Sequence, residues 1–360
     1  MKDIYRLQLL NTEGIGPVAF YYFLKTFGSA KNAINVFPRL MKTKKFKLAE
    51  KNIAEKIIEN VWKFEQKIIW FDDKNYPAQL KNCGDAPPVL FYKGELKKTK
   101  NIAVVGTRNA SLPAINLSKK LSNELAQKNY GIISGLAYGI DASAHSGAMK
   151  KNGYTIAVLA GSVENIYPLK NTKLYHEILE KNGAIISQHP PLTQPSAPRF
   201  PSRNRIIAGL SDITVVIEAK RKSGSLITAE FAKKYNRPVG AVPGFPTDER
   251  AGACNYLLKE RGAFFIESIR DIESAMIKKS LQKNASLFEI NEVSEEFFYD
   301  ENFEKISEEK VLSLLSKTPI EISQLASHLG CNQKTIMPIL LVLDLEKKAK
   351  LLPADFIIRL

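Results

Sequence analysis

An arginine-rich segment at residues 199–211 is the stretch best suited to chemistry by residue type and spacing. It reads Arg-Phe-Pro-Ser-Arg-Asn-Arg-Ile-Ile-Ala-Gly-Leu-Ser, and an apolar run at 213–217 follows it. Guanidinium groups are costly to bury without anionic partners, so several of them beside a sheet edge predict a phosphate-binding site. The alternative is that these arginines pair with nearby acids such as Asp212 and Glu218.

Two earlier segments carry hydrogen-bond donors at the ends of apolar runs. At the first, Gly106 lets a backbone approach a ligand, Thr107 offers a hydroxyl, and Arg108 offers a planar fork of N–H donors. At the second, residues 134–141, a serine and two glycines open a helix, whose free N–H groups and positive dipole end favour an anion. Both patterns predict phosphate contacts.

Two later loops have the same chemistry. One holds Lys170 and Asn171, with Tyr167 suited either to stacking on a base or to packing as a plug. In the other, three cations at 220–222 precede Ser-Gly-Ser at 223–225. Since carboxyl ends of parallel strands meet at one edge of a sheet, we expect these loops to form a trough for a polyanion. The candidate phosphate-binding residues are Gly106, Thr107, Arg108, Ser134, Gly135, Gly139, Lys170, Asn171, Arg199, Phe200, Arg203, Asn204, Arg205, Ser223, Gly224 and Ser225.

The sequence lacks the usual signs of catalysis. No nucleophile stands beside an evident base, and neither a G-x-x-x-x-G-K-S/T loop nor a G-x-G-x-x-G loop after a strand is present. We interpret Asp141 as a turn anchor or helix cap and His145 as a structural histidine. Cys83, Cys254 and Cys331 show no metal-ligand spacing. We therefore expect a binding protein with no catalytic residues, no metal and no cofactor.

The hydrophobic pattern predicts the elements that must position these residues. Apolar runs recur at 102–105, 131–133, 155–159, 184–186, 213–217 and 239–242, with amphipathic stretches between them. This alternation predicts an α/β fold in which a parallel sheet is covered by helices on both faces, with ligands beyond the carboxyl ends of the strands. Short strands at 68–71 and 89–92 are candidates to extend the sheet.

Three regions flank this predicted α/β domain. Residues 1–66 read as helices, with a Gly-Ile-Gly-Pro turn typical of a helix-hairpin-helix element, which either receives a phosphate or only joins packed helices. Residues 281–303 suit a linker, and residues 304–360 have the element order of a winged helix. Its helix at 332–346 is mainly apolar, with Lys334 as the main cation, which favours contact with protein over reading of DNA.

The composition is basic, with 52 Lys and Arg against 37 Asp and Glu and a net charge of +15. The excess lies in the first 280 residues, since acids outnumber bases over 281–360. A basic surface favours nucleic acid or anionic membrane, although a lysine-rich proteome would give the same composition. No apolar run is long enough to span a bilayer, no signal peptide is visible, and the separate cysteines suit reduced thiols. We expect a cytoplasmic protein.

Taken together and in order, the motifs resemble the DNA processing protein A (DprA/Smf) family. They lie at 106–108, 134–141, 167–171, 200–211, 223–229 and 242–244. The resemblance covers about residues 70–266; residues 1–66 are similar to that family's sterile-alpha-motif-like domain, and the tail is similar to the winged helix of some members. It implies an extended Rossmann-like domain, here 67–280, that binds single-stranded DNA and forms a homodimer. It also implies assistance to the RecA recombinase in natural transformation, without catalysis.

The resemblance also implies roles for particular residues. The family's phosphate-contacting arginine falls on Arg108, and the adjacent pocket falls on Ser134, Gly135 and the triplet 203–205. Arg199 stands where members often place a basic residue before Phe-Pro. Two stretches depart from the family pattern, Val-Glu-Asn-Ile at 163–166 and the Ala-Cys pair at 253–254, which leaves the geometry of those loops open.

The main alternative function is a nucleotide phosphoribohydrolase of the lysine-decarboxylase-like group, which has a similar fold. Residues 223–230 echo the Pro-Gly-Gly-x-Gly-Thr-x-x-Glu loop of those enzymes, with Glu230 in place of the acid. However, Lys222-Ser-Gly replaces the start of that loop, and Leu226 replaces its later glycine. A tight cradle for a monophosphate is therefore not expected. A scaffold that contacts only protein is a third possibility.

Overall fold

The computed structural model describes residues 2–40, 48–286, 306–331, 333–352 and 355–360. The chain divides into two compact units, one made of residues 1–59 and 291–360 and the other of residues 60–290. The larger unit carries the parallel sheet, and the smaller unit combines the two ends of the chain.

Four helices begin the chain: α1 (Lys2–Leu10), α2 (Pro17–Phe27), α3 (Ala30–Leu40) and α4 (Lys51–Lys63). The predicted glycine turn joins α1 to α2. Gly14 has a φ of 83°, which favours glycine, and Pro17 stands in the first turn of α2, where its missing N–H costs nothing. Leu9 and Phe20 are fully buried between the helices. The helical character predicted for residues 1–66 is confirmed in the described residues.

The larger unit contains nine strands among its described residues. They are β1 (Lys67–Trp70), β2 (Val89–Gly94), β3 (Asn101–Gly106), β4 (Gly131–Ser134), β5 (Thr155–Val158), β6 (Ala184–Ser187), β7 (Ile213–Ile217), β8 (Val239–Ala241) and β9 (Phe264–Phe265). Their order in the sheet is β1-β2-β6-β5-β4-β3-β7-β8-β9. The seven strands from β6 to β9 in this sheet order, which include β3, β4 and β5, pair in parallel. Strands β1 and β2 extend the sheet in antiparallel pairs. The predicted α/β fold is confirmed.

Eight α-helices accompany this sheet in the part of the unit that the structure describes: α5 (Ala78–Lys81), α6 (Leu112–Gln127), α7 (Ile140–Met149), α8 (Thr172–Glu180), α9 (Arg199–Leu210), α10 (Gly224–Lys234), α11 (Gly252–Glu260) and α12 (Ile269–Ser286). Consecutive residues of β3 face opposite sides, since Ile102 and Val104 join one core cluster while Ala103 and Val105 join the other. Helix α12 continues through Ser286, so the beginning of the predicted linker is helical. Residues 287–303 lie outside the described residues.

The C-terminal part of the smaller unit has six elements among its described residues. They are α13 (Glu308–Leu314), β10 (Ile320–Glu321), α14 (Ile322–His328), α15 (Gln333–Leu345), β11 (Ala349–Leu352) and β12 (Phe356–Arg359). The strands form an antiparallel sheet in the order β10-β12-β11. Leu340 and Leu343 of α15 are buried, and α15 packs against α2 within this unit. The side chain of Lys334 lies outside the described residues, and the winged-helix assignment stays a prediction.

Candidate nucleic-acid interface

A groove opens at the carboxyl ends of β3 and β7. It is an open pocket of about 320 Å³, lined by Thr107 and Arg108 after β3 and by residues of α9. Lys220, Lys222 and residues 223–225, which follow β7, complete the lining. A smaller pocket adjoins it, and the two share Arg108, Ala137, Phe200 and Arg203. We call the larger pocket the carboxyl-edge groove.

The aromatic ring of Phe200 organises the junction of the two pockets. The guanidinium carbon of Arg108 lies 5.3 Å from the centre of this ring, and that of Arg203 lies 5.9 Å from it. The ring of Tyr167 is 5.8 Å away and tilted by 57°. Arg108 is exposed, and none of the described carboxylates lies within ion-pair distance of it. Its N–H donors are therefore open to an anion.

Arg203 is buried and satisfied by the protein itself. Its Nη1 donates to the carbonyl oxygens of Gly135 and Val158, the latter at 2.8 Å, and its Nε donates to Asn204 Oδ1 at 3.0 Å. Burial lowers the pKa of Arg203 to about 10, an effect that the charge of Asp141 opposes. Burial also raises the pKa of Asp141, although the Arg203 charge opposes that rise. Arg203 is thus mainly a structural cation, in contrast to the predicted phosphate contact.

Gly135 fits this arrangement because it has no side chain. A Cβ at this position would lie 2.3 Å from Arg203 Nη1 and 2.8 Å from Asp141 Oδ2. The Gly135 N–H donates to the same Asp141 oxygen at 3.1 Å. Asp141 is therefore the turn anchor that the sequence predicted. Together these three residues hold the loop after β4 against α9.

The N-terminus of α10 faces the carboxyl-edge groove. No side chain caps this helix, so its first N–H groups are available to an anion. Ser225 Oγ donates to the Gly106 carbonyl at 2.8 Å, and Asn204 Nδ2 donates to the Gly224 carbonyl at 3.0 Å, which fix the helix start to β3 and α9. Among the described residues nothing bonds the buried hydroxyl of Ser223, which lines the groove. An unsatisfied buried hydroxyl is costly, so a ligand oxygen here would be stabilising.

Comparison with known proteins gives a consistent result for both units. The family model of DNA recombination-mediator protein A matches residues 67–277, and that of the DprA-like N-terminal HHH domain matches residues 1–59. The chain is 42% identical to DNA processing protein DprA of Bacillus subtilis over 212 residues, which span 58% of this chain and 71% of the relative. It is 37% identical to Protein Smf of Synechocystis over 273 residues, or 71% of this chain and 68% of the relative.

The chain belongs to the DNA recombination-mediator protein A family. Two solved structures of relatives share its fold. The X-ray structure of DprA from Streptococcus pneumoniae superposes with a TM-score of 0.63 and 29% identity, covering 75% of this chain and 97% of that one. A structure concerned with the single-stranded DNA binding mode of DprA from Helicobacter pylori gives a TM-score of 0.54 and 30% identity, covering 60% of this chain and 97% of that one.

Of the residues predicted for this family site, ten line the two pockets. They are Gly106, Thr107, Arg108, Gly135, Phe200, Arg203, Asn204, Ser223, Gly224 and Ser225. Two exposed residues that line the groove, Lys220 and Lys222, were not among the predicted site residues, although the run of three cations at 220–222 was noted. It also omitted Tyr138, which is exposed and lines the smaller pocket.

Arg205 does not reach the groove, contrary to the prediction. Its guanidinium donates to the Asp85 carbonyl oxygen and to Gln188 Oε1. The reason is that the arginine segment is the helix α9, in which successive residues turn by about 100°. Arg205 therefore points away from Arg203. Arg199 is also held elsewhere, since it donates to the Gln194 carbonyl oxygen.

Three other predicted residues have roles in local structure, and a fourth, Lys170, lies outside both pockets. Ser134 is fully buried and donates to the Val104 carbonyl at 2.7 Å, so its hydroxyl is not available to a ligand. Asn171 is buried and donates to the Leu136 carbonyl at 2.8 Å. Gly139 provides a φ of 72° at the start of α7. Lys170 is exposed but lines neither pocket described above.

Two alternatives were raised by the sequence, pairing of the arginines with nearby acids and a hydrolase loop at residues 223–230. Asp212 is paired with Lys279 at 3.5 Å, and Glu218 accepts from the Ser111 N–H at 2.8 Å, so neither neutralises the α9 arginines. The acid whose charge acts on the pKa of Arg203 is Asp141. Glu230, the acid required for the hydrolase interpretation, is exposed on α10 and does not line the groove.

Two further observations bear on the chemistry. Within the described residues, no three His, Cys, Asp or Glu side chains come together as a metal site, and no helix is long and apolar enough to cross a membrane. His145 Nδ1 lies 2.7 Å from Thr155 Oγ1, and burial lowers the pKa of this histidine to about 3. His145 is therefore a neutral, structural side chain, as its sequence context predicted.

Proposed function

We propose that this chain binds single-stranded DNA in the carboxyl-edge groove without reading its sequence. In this proposal it helps the RecA recombinase onto incoming DNA during natural transformation. Membership in a family of DNA recombination mediators supports the role, and the Helicobacter pylori relative, 30% identical, is described by its single-stranded DNA binding mode. Binding proceeds without catalysis, metal or cofactor.

The observation that carries the proposal is the exposed guanidinium of Arg108 over the ring of Phe200, 5.3 Å from its centre. A phosphate is suited to the open N–H donors of Arg108, to the N-terminus of α10 and to the unpaired Ser223 hydroxyl. Aromatic rings stack on any base, so Phe200 and Tyr167 give affinity without sequence preference. Lys220 and Lys222 extend the positive charge along the backbone path.

The remaining parts of the proposal concern assembly and location. We infer a cytoplasmic homodimer formed through the Rossmann-like domain, with residues 1–66, 67–280 and 304–360 as helical, DNA-binding and winged-helix domains and 281–303 as their linker. For the last domain we infer an accessory role in protein contact, because the sequence of α15 is mainly apolar and offers few donors for reading DNA. In this proposal the chain has no membrane partner.

The test compares Arg108→Ala with Lys100→Ala. Arg108 follows β3 and Lys100 precedes it, both are exposed, and each substitution removes one positive charge. Binding of the full chain to a fluorescent oligothymidylate is measured over a range of salt concentrations. We expect Arg108→Ala to bind roughly ten-fold more weakly, because a charge-assisted hydrogen bond is lost. The slope of log affinity against log salt should fall by about 0.7 for one phosphate contact.

Lys100→Ala should stay close to the parent protein in both affinity and salt dependence. Equal behaviour of the two variants would remove Arg108 from the binding site. Tighter binding to duplex than to single-stranded DNA of the same length would contradict the proposed substrate.

A further inference from the structure

The loop after β8 places an exposed aromatic ring at the same sheet edge as the groove. The side chain of Phe245 is 74% exposed. In the sheet, Gly106 of β3 pairs with Ile217 of β7, and Val216 of β7 pairs with Ala241 of β8, so the three strands end side by side. Neighbouring strands are about 4.8 Å apart, so the loop after β8 lies on the order of 10 Å from the loop of Arg108.

The loop that carries Phe245 is held in place by several contacts. The Asn255 side chain bonds Gly244 twice, accepting from its N–H at 3.2 Å and donating to its carbonyl at 3.0 Å. The Phe245 carbonyl accepts from the Asp248 N–H at 3.0 Å, which closes a turn. A Cβ on Gly244 would lie 2.5 Å from Ala251 Cβ, so the backbone is also close-packed. The exposed ring is therefore presented by an ordered loop.

Cationic side chains connect this loop to the carboxyl-edge groove. Lys220, which lines the groove, contacts Glu249 at 2.8 Å, and Glu249 directly follows the turn that Asp248 closes. Next to it the Arg221 guanidinium lies 4.4 Å from the centre of the Tyr256 ring. The acids of the loop are paired, Asp248 with Arg250 at 2.7 Å and Glu249 with Lys220, which limits their repulsion of a phosphate.

We propose that Phe245 is a second stacking site, on which a base of the single strand lies after the strand leaves the carboxyl-edge groove past Lys220. A single exposed aromatic side chain is common on protein surfaces and is not evidence alone. Here its fixed loop, its position at the strand ends and the cations between it and the groove point to an unpaired polynucleotide. This inference rests on the proposed function and extends its site by one strand of the sheet.

The experiment measures binding of the full chain to oligothymidylates of about 4 and about 16 nucleotides, for the parent and for Phe245→Ala, Phe245→Leu and Phe245→Tyr. Loss of one stacked base should weaken binding of the longer strand about 5-fold or more in Phe245→Ala and in Phe245→Leu. Phe245→Tyr keeps the ring and should bind like the parent. The shorter strand fills only the groove at Arg108, so its affinity should change by less than about 2-fold in all three variants.

Stacking can also be observed directly in Phe245→Trp, whose added indole fluorescence should be quenched by the longer oligothymidylate. The parent protein, with Trp62 and Trp70, provides the background. Unchanged affinity in Phe245→Ala, while Arg108→Ala still binds weakly, would overturn this inference and leave the proposed function standing. Equal loss in Phe245→Leu and Phe245→Tyr would exclude stacking, and failure of the parent to bind either strand would overturn both proposals.

Discussion

The two edges of the parallel sheet offer pockets of similar composition that differ in the state of their cations. At the amino edge an open pocket of about 420 Å³ is lined by Gln79, Lys100, Asp212, Arg237 and Lys279, among others. It is somewhat larger than the carboxyl-edge groove and also contains arginine and lysine. By volume and charge alone, either pocket is a candidate site for a polyanion.

At the amino edge the protein already uses two of these cations, Arg237 and Lys279. Arg237 donates to the carbonyl oxygens of Ala208, Gly209 and Ser211 at the end of α9, and Lys279 pairs with Asp212 at 3.5 Å. Burial lowers the pKa of Arg237. Its N–H donors are occupied by backbone carbonyls and are not open to a ligand. Arg108 at the other edge contacts only an aromatic face among the described contacts. Open donors, more than the count of cations, therefore distinguish a binding groove from a structural pocket.

The largest expected effect comes from Arg203→Ala, which tests whether a groove residue acts through structure. Removal of this guanidinium leaves Asp141 buried without its opposite charge, and such losses cost about 3–5 kcal/mol. The free energy of unfolding, measured by urea titration, should fall by that amount. The double variant Arg203→Met, Asp141→Asn removes both charges and should recover part of the loss. A fall below about 1 kcal/mol would contradict the structural role.

The pH dependence of the same variant follows from Asp141. Burial raises its folded pKa above the unfolded value, so its contribution to stability is greatest in acid and is lost as pH rises through the folded pKa. Without Arg203 this pKa rises further. The stability difference between Arg203→Ala and the parent should therefore shrink as pH falls toward about 4, where an unfolded Asp titrates. A constant difference between pH 4 and 7 would argue against Asp141 as the cause.

Arg237→Ala sharpens the comparison from the amino edge. It leaves the carbonyl oxygens at the end of α9 without their donor, so the free energy of unfolding should fall by about 1–3 kcal/mol. Affinity for single-stranded DNA should remain within about 2-fold of the parent at a temperature where both are folded. A loss of affinity comparable to that of Arg108→Ala would show that the two edges are not functionally distinct.

The sequence predicted most of the sheet because its central strands are short apolar runs, such as Ile213–Ile217, separated by amphipathic helices. It missed the helix α9, since Pro201 and the polar residues around Arg203 interrupt the apolar pattern. That omission explains the error at Arg205. Without a predicted helix, there was no way to see that Arg203 and Arg205 lie on different sides of α9. The two-residue strand β9 is too short to give a pattern.

Individual site residues were predictable to the extent that their chemistry is local. Arg108 follows directly from a buried strand, so its position at the edge was readable. The electrostatic interaction of Arg203 with Asp141 joins residues far apart in the chain and has no local signal. The unusual loop at 163–166 is likewise anchored by distant partners, as Glu164 accepts from Gln66 Nε2 at 2.6 Å and from the Leu192 N–H.

The smallest expected effect distinguishes two ion pairs at the protein surface, one at each edge of the sheet. Glu249 holds Lys220 beside the carboxyl-edge groove at 2.8 Å, and Glu273 holds Lys128 near the amino end of β4 at 2.7 Å. Exposed pairs contribute little to stability, so a phosphate competes readily with Glu249 for Lys220. Glu249→Gln should therefore raise affinity for single-stranded DNA on the order of 2-fold, with the gain largest at low salt.

Glu273→Gln is the matched control, because it changes the net charge by the same amount through the same kind of pair. Its affinity should equal that of the parent once the salt concentration screens charges beyond about 10 Å. If both substitutions raise affinity equally, the gain is a general effect of net charge, and Lys220 is not a local contact. If only Glu249→Gln raises affinity, Lys220 is a local contact for the DNA. The lysine then becomes a binding residue once its N–H donors are released from Glu249, as the open donors of Arg108 already are.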